Sequence, residues 1–271
     1  MTTTDTSSTT NTVPAALALD GITVRYGTVT ALDDVSLTLA RGRVCGLVGT
    51  NGSGKSTLFK TVMGIVRPSA GRVRIAGAEP AAARRTASVA YVPQSEAVDW
   101  DFPIVVREVV MTGRYGHQGT MRRPRPADHD AVADALDRVQ MTEFANRQIG
   151  QLSGGQRKRV FVARAIAQGA PLLLLDEPFA GVDKSTEFAL TAVIRSLADA
   201  GHTVLVATHD LAGLDRLCDE AALLQRRLLV HDTPAEVLRP ENLARAFGVD
   251  PLAVDPLAGD AAATLSKREA W

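Results

Sequence analysis

The chain has 271 residues, 45% of them hydrophobic and 22% charged, an ordinary balance that can bury a sizeable core and that excludes a fibrous or wholly disordered protein. Thirty basic residues cancel thirty acidic ones, so no global field favours nucleic acid. The two cysteines, Cys45 and Cys218, are too few for a disulfide scaffold, and no apolar run reaches the roughly 18–20 residues of a membrane span.

The N-terminus lacks the basic and apolar regions of a secretory signal, so a cytosolic protein is expected. Residues 1–14, largely Thr and Ser at the start, have little to bury and are expected to form a disordered tail. Strand-like runs follow at 17–19, 22–26 and 35–39, punctuated by Asp20-Gly21 and Arg41-Gly42. The apolar run Val44-Cys45-Gly46-Leu47-Val48 leads into Gly49-Thr50-Asn51-Gly52-Ser53-Gly54-Lys55-Ser56-Thr57. A helix-like segment then places Leu58, Val62 and Ile65 on one side. Short strands at 72–75 and 89–92 lead to Pro93-Gln94.

From about 95 to 167 the pattern turns helical, with an amphipathic stretch over 128–139, and reads as a helical subdomain inserted into a sheet domain. The α/β rhythm then returns. Strands are expected at 172–175 and 203–208, helices at 185–200 and 211–218, a closing strand pair at 221–224 and 228–230, and a short helix at 242–247. Residues 251–271 read as a tail of ambiguous structure.

Three stretches carry chemistry. Strand, glycine loop and helix form the setting in which G-x-x-x-x-G-K-[ST] cradles phosphate. Glycines at Gly49, Gly52 and Gly54 let backbone N–H groups face phosphate oxygens, and the helix start adds partial positive charge. Lys55 would reach the β- and γ-phosphates and the Ser56 hydroxyl would ligate Mg²⁺. A glycine-rich turn before a helix is the plainer alternative. The second stretch, Leu172-Leu173-Leu174-Leu175-Asp176-Glu177, brings two carboxylates to the end of an apolar strand. Asp176 is placed to hold Mg²⁺, and Glu177, pointing elsewhere, could polarise an attacking water. The third is Leu152-Ser153-Gly154-Gly155-Gln156. Ser153 and Gln156 make a capping box, yet two glycines in a first helical turn cost about 1 kcal/mol each. Bare backbone there suits a close phosphate, and the chain already has one cradle. The economical reading is that this turn serves the nucleotide of a second copy of the chain.

The set resembles the ATP-binding subunit of an ABC transporter, whose signature is Leu-Ser-Gly-Gly-Gln, over nearly the whole chain from about Leu17 to Phe247. The resemblance implies a P-loop NTPase of α/β class. Its ABC-type core would be a mixed or parallel sheet flanked by helices, with an N-terminal antiparallel β subdomain and the inserted helical subdomain, all within about 15–250. It implies ATP and Mg²⁺, with Tyr26 on the adenine and Gln94 coupling Mg²⁺ and water to the helical subdomain. Asp183, in Ala180-Gly181-Val182-Asp183, would cross the dimer interface, and His209 would contact the γ-phosphate. His117, His129, His202 and His231 read as surface or packing residues.

The segment with Trp100, Phe102, Gly113-Arg114-Tyr115-Gly116-His117 and Arg122-Arg123-Pro124, together with Phe179–Asp183, is similar to ATPases of manganese, zinc and iron importers that use a metal-binding receptor. Trp100 and Phe102 could either pack the subdomain or face the permease. The implied partners are a second copy of the chain, membrane permease subunits and, indirectly, that receptor, at the inner face of the cell membrane. No transition-metal site is legible, because the cysteines are isolated and the histidines scattered. Arg157-Lys158-Arg159 departs from the glutamines of many relatives, and the helix is expected to tolerate it. Efflux, a soluble ABC-type ATPase acting on nucleic acid or ribosomes, and a small-molecule kinase are the alternatives; the last leaves residues 152–156 and His209 unexplained.

Overall fold

The computed structural model describes residues 14–94, 100, 102–119 and 121–247, so most of both expected tails, and Val98, Asp99 and Asp101, lie outside the described residues. Two sheets form the frame. The smaller joins β1 (Leu17–Tyr26), β2 (Val29–Leu39) and β4 (Ala70–Ile75) in the antiparallel order β2-β1-β4. The larger joins β3 (Val44–Val48), β5 (Val89–Val92), β6 (Leu172–Asp176), β7 (Thr203–Thr208), β8 (Glu220–Gln225) and β9 (Arg227–Asp232). Its order is β5-β6-β7-β3-β8-β9, parallel except for β9 at the edge.

The continuous apolar runs of β3, β6 and β7 follow from burial on both faces. Leu172, Leu174, Leu205, Cys45 and Leu47 face the small sheet and α1 (Lys55–Val62). Leu173, Leu175, Val204, Val206, Val44 and Val48 face the helices on the other side. Those helices include α3 (Val106–Met111), α4 (Pro126–Arg138) and α5 (Gly154–Gln168), which lie between β5 and β6. The chain between β4 and β5 adds α2 (Pro80–Arg85). After β6 come α6 (Lys184–Asp199), α7 (Leu214–Leu217), α8 (Pro234–Val237) and α9 (Pro240–Phe247).

Several elements differ from expectation for local reasons. The runs at 17–19 and 22–26 are one strand with irregular register between Leu19 and Ile22, where Gly21 sits at φ +59°. The helix expected over 211–218 is confined to Leu214–Leu217, because the Asp210 carboxylate accepts the Ala212 N–H at 2.9 Å and holds the preceding residues in a turn. Trp100 packs rather than projects, its ring edge-on to Phe161 at 6.3 Å with the Arg157 guanidinium 4.1 Å from its centroid. Phe102 and Tyr115 remain exposed at the surface.

Candidate nucleotide site

Sheet order places the site. β3 is flanked by β7 and β8, and β7 by β6, so their carboxyl ends share one edge; Val48 is level with Thr208, and Asp176 with Ala207. Ligands of open α/β sheets bind outside such an edge. The chain leaves β3 at Gly49, where a Cβ would lie 2.3 Å from the Leu224 carbonyl oxygen. It enters α1 through Gly54, at φ +107° and so close to the Ala31 carbonyl that a Cβ would stand 2.7 Å away. Only glycine accommodates both the left-handed backbone and that approach.

Lys55 is buried, and its Nζ donates to the Gly49 and Thr50 carbonyls at 2.7 and 3.2 Å. The Thr50 hydroxyl donates to Gln225 Oε1 at 3.1 Å, and the Ser53 carbonyl accepts the Arg226 N–H at 2.8 Å, tying the loop to the β8–β9 turn. Thr50 through Thr57, Ala31, Gln94, Asp176 and Glu177 line one cleft of about 220 Å³.

The carboxylates at the end of β6 separate as their chain positions dictate. Asp176 is buried; its Oδ2 accepts the Tyr91 hydroxyl at 3.3 Å, while Oδ1 is buried without a hydrogen-bond partner. An orphaned anionic oxygen beside Ser56 and Gln94 in one cleft fits a hard cation that takes oxygen ligands. Glu177 turns out of the strand at φ +52°, a left-handed conformation that costs a non-glycine residue about 1 kcal/mol or more. That turn aims its Oε2 at His209 Nδ1, 2.7 Å away. The family resemblance implies a γ-phosphate contact for His209; the structure shows it joined to Glu177, a contact that strand adjacency alone does not reveal.

Gln94 lies just past β5, after Pro93, and its carbonyl accepts Lys158 Nζ of α5 at 2.6 Å. Arg157 donates to the Gly150 carbonyl at 2.7 Å as well as covering Trp100, so the basic run after the signature acts as structural ties.

Other named residues stand apart from the cleft. Tyr26 is 49% exposed at the end of β1 and does not line it. Ser153 caps α5: its Oγ accepts the Gln156 N–H at 3.3 Å, and Gln156 Oε1 accepts the Ser153 N–H at 2.9 Å, the capping box read from sequence. Gly154 has open space where a side chain would be, and Gly155 lies against Thr186. Asp183 caps α6, accepting the Thr186 N–H at 2.9 Å and hydroxyl at 3.0 Å, with its carboxyl below the ordinary range because of those bonds, the backbone one first. Ser153–Gln156 and Asp183 are thus neighbours through Thr186, on surface outside the cleft.

A glycine cradle at a helix start, with an acidic strand end and a second carboxylate held by a histidine, defines a P-loop nucleotide-binding fold. A family model described as ABC transporter matches residues 32–180. The chain is 46% identical over 237 residues to the manganese transport system ATP-binding protein of Synechocystis, across 87% of this chain and 91% of that one. It is 40% identical over 233 residues to the zinc transport system ATP-binding protein of Treponema pallidum, across 86% and 87%. Among solved structures, an inward-facing metal-chelate type ABC transporter superposes with a TM-score of 0.76 at 29% identity, across 86% and 89%. The chain belongs to the ABC transporter ATP-binding family. It is an ABC-type ATPase that binds nucleotide and couples its hydrolysis to transport; chains of this family dimerise and work with membrane permease subunits. No helix among the described residues is long and apolar enough to cross a membrane.

Proposed function

We propose that this chain powers a metal-ion importer, with manganese as the first candidate cargo and zinc or iron as the others. The names of the relatives support the substrate class, and the exposed Phe102 and Tyr115 beside α3 support a permease-facing surface there. The chain acts at the inner face of the membrane, with a separate metal-binding receptor delivering the ion. The observation that carries the ATPase reading is the split in the site. The phosphate loop, Asp176 and Glu177 share a cleft, while Ser153–Gln156 and Asp183 lie outside it.

Each nucleotide is therefore held by one chain and closed over by the signature turn of its partner. Backbone N–H groups of residues 50–57, Lys55 and the start of α1 hold the β- and γ-phosphates, and Tyr26 stacks on the adenine. Ser56, Gln94 and Asp176 hold Mg²⁺, which supplies neutralisation of phosphate charge when bound. Glu177 orients and polarises the attacking water. His209, bonded to Glu177 through Nδ1, keeps that carboxylate aimed and offers Nε2 toward the γ-phosphate. The partner's bare turn at Gly154 and Gly155 adds backbone donors from the second side.

Complementation tests the split. Lys55→Ala and Ser153→Arg chains, each inactive alone with the permease, should recover ATP turnover when mixed, since one composite site is then intact. Failure to recover in confirmed mixed dimers would overturn it. Uptake of manganese, zinc and iron, each tried separately in cells lacking this chain, tests the cargo.

A further inference from the structure

At the opposite end of the same sheet, three side chains meet that belong to no part of the nucleotide site. Cys45 on β3 is level with Glu220 on β8, and His231 on β9 is level with Ala222, which puts all three on one face. A sulfur, a carboxylate oxygen and an imidazole nitrogen lie within 4.8 Å of one another. His231 Nε2 is 3.1 Å from Glu220 Oε2, a contact that an ordinary acid–imidazole pair explains. The pair leaves two facts over: Glu220 Oε1 is buried with no hydrogen-bond partner, and a thiol occupies the same spot. In the sequence Cys45 stands alone and His231 reads as a surface or packing residue; strand register, not chain proximity, brings them together.

We propose that Cys45, Glu220 and His231 form a binding site for a divalent transition ion of the zinc type, with water in a fourth position. Thiolate, imidazole and carboxylate are the mixed donors that zinc accepts in tetrahedral geometry, whereas magnesium and calcium select oxygen alone. Bonds of about 2.0–2.3 Å place tetrahedral ligand atoms roughly 3.3–3.8 Å from one another. One pair is already within 3.1 Å and the others need only small rotamer changes. A thiolate and a carboxylate cancel the charge of a dication, so the buried site is neutral when filled. The thiol proton leaves to solvent as the Cys45–metal bond forms. Cys45 is fully buried, while the Glu220 and His231 side chains are 19% and 23% exposed, so the ion enters between them beside edge strand β9. This site is independent of the cargo reading, since it rests on donor atoms in this chain alone.

The full-length chain, stripped of metal and freed of chelator, is titrated with Co²⁺ as a spectroscopic probe. The expected result is a thiolate-to-cobalt charge-transfer band with the intense visible bands of a tetrahedral ion, saturating at one ion per chain. Zn²⁺ should erase it and excess Mg²⁺ should not. Cys45→Ser should abolish the band and Cys218→Ser should retain it. His231→Gln, on the edge strand where folding is least at stake, should weaken zinc binding at least about tenfold with an unchanged melting curve. Absence of the band in the unsubstituted chain, its persistence in Cys45→Ser, or zinc affinity unaltered in His231→Gln would each overturn the assignment. If Cys45→Ser does not fold, the His231→Gln affinity decides.

Discussion

The phosphate-loop end and the signature end of this chain are built from similar parts and finished differently. Both use glycines at a helix start. Around Lys55 the loop is locked from several sides, by Leu224, Ala31, Gln225 and Arg226, and its residues share a cleft with both β6 carboxylates. Around Ser153 the turn closes on its own capping box, Gly155 rests on Thr186, and Gly154 has open space where a side chain would be. The difference teaches what the proposed dimer has to supply: on that reading, a finished half-site on one chain meets the bare turn of another.

The largest test of that contrast is Glu177→Gln. Loss of a carboxylate that positions and polarises water should lower turnover by about 10²–10⁴-fold while leaving nucleotide binding intact. Single-turnover hydrolysis beside a nucleotide-binding isotherm measures both, and unchanged turnover would remove Glu177 from its role. Next comes Ser153→Ala. Loss of the cap should cost about 1 kcal/mol in thermal unfolding, while turnover in the assembled complex drops at least about tenfold and binding to the single chain is untouched. A variant that loses stability alone would make the turn merely structural.

Tyr26→Ala should be milder, weakening nucleotide affinity roughly fivefold to tenfold through lost stacking worth about 1–1.5 kcal/mol, with turnover at saturation unchanged. Acid is the smallest effect. Asp128 is lowered from its ordinary 3.8, first by the Arg125 N–H and then also by Arg114. A depressed carboxyl contributes its stability above its unfolded value and loses it as pH falls through the lower folded one. Thermal melts should therefore be flat near neutrality and decline below about pH 4, and Asp128→Asn should flatten that decline.

How much of this was legible depends on the range of the signal. β5 and β7 lie at 89–92 and 203–208 as read, because buried parallel strands are unbroken apolar runs. The capping box at Ser153 was readable because its partners are three residues apart. The helices α2, α3 and α8 were not, being four to six residues long and too short for periodicity to register. β2 starts at Val29, six residues before its expected beginning, because Asp33 and Asp34 mask the pattern. The bond from Tyr91 to Asp176 and the meeting of Cys45, Glu220 and His231 arise from register across distant strands, which no local pattern encodes.

The seat of Lys55 has a consequence for how ions compete. Its ammonium rests on two main-chain oxygens inside the fold rather than in bulk water. If Lys55 takes the phosphates as proposed, an arriving polyanion would exchange one set of oxygens for another, with little hydration to strip from the cation. Small dissolved salts should thus slow the approach of nucleotide far more than they loosen its grip.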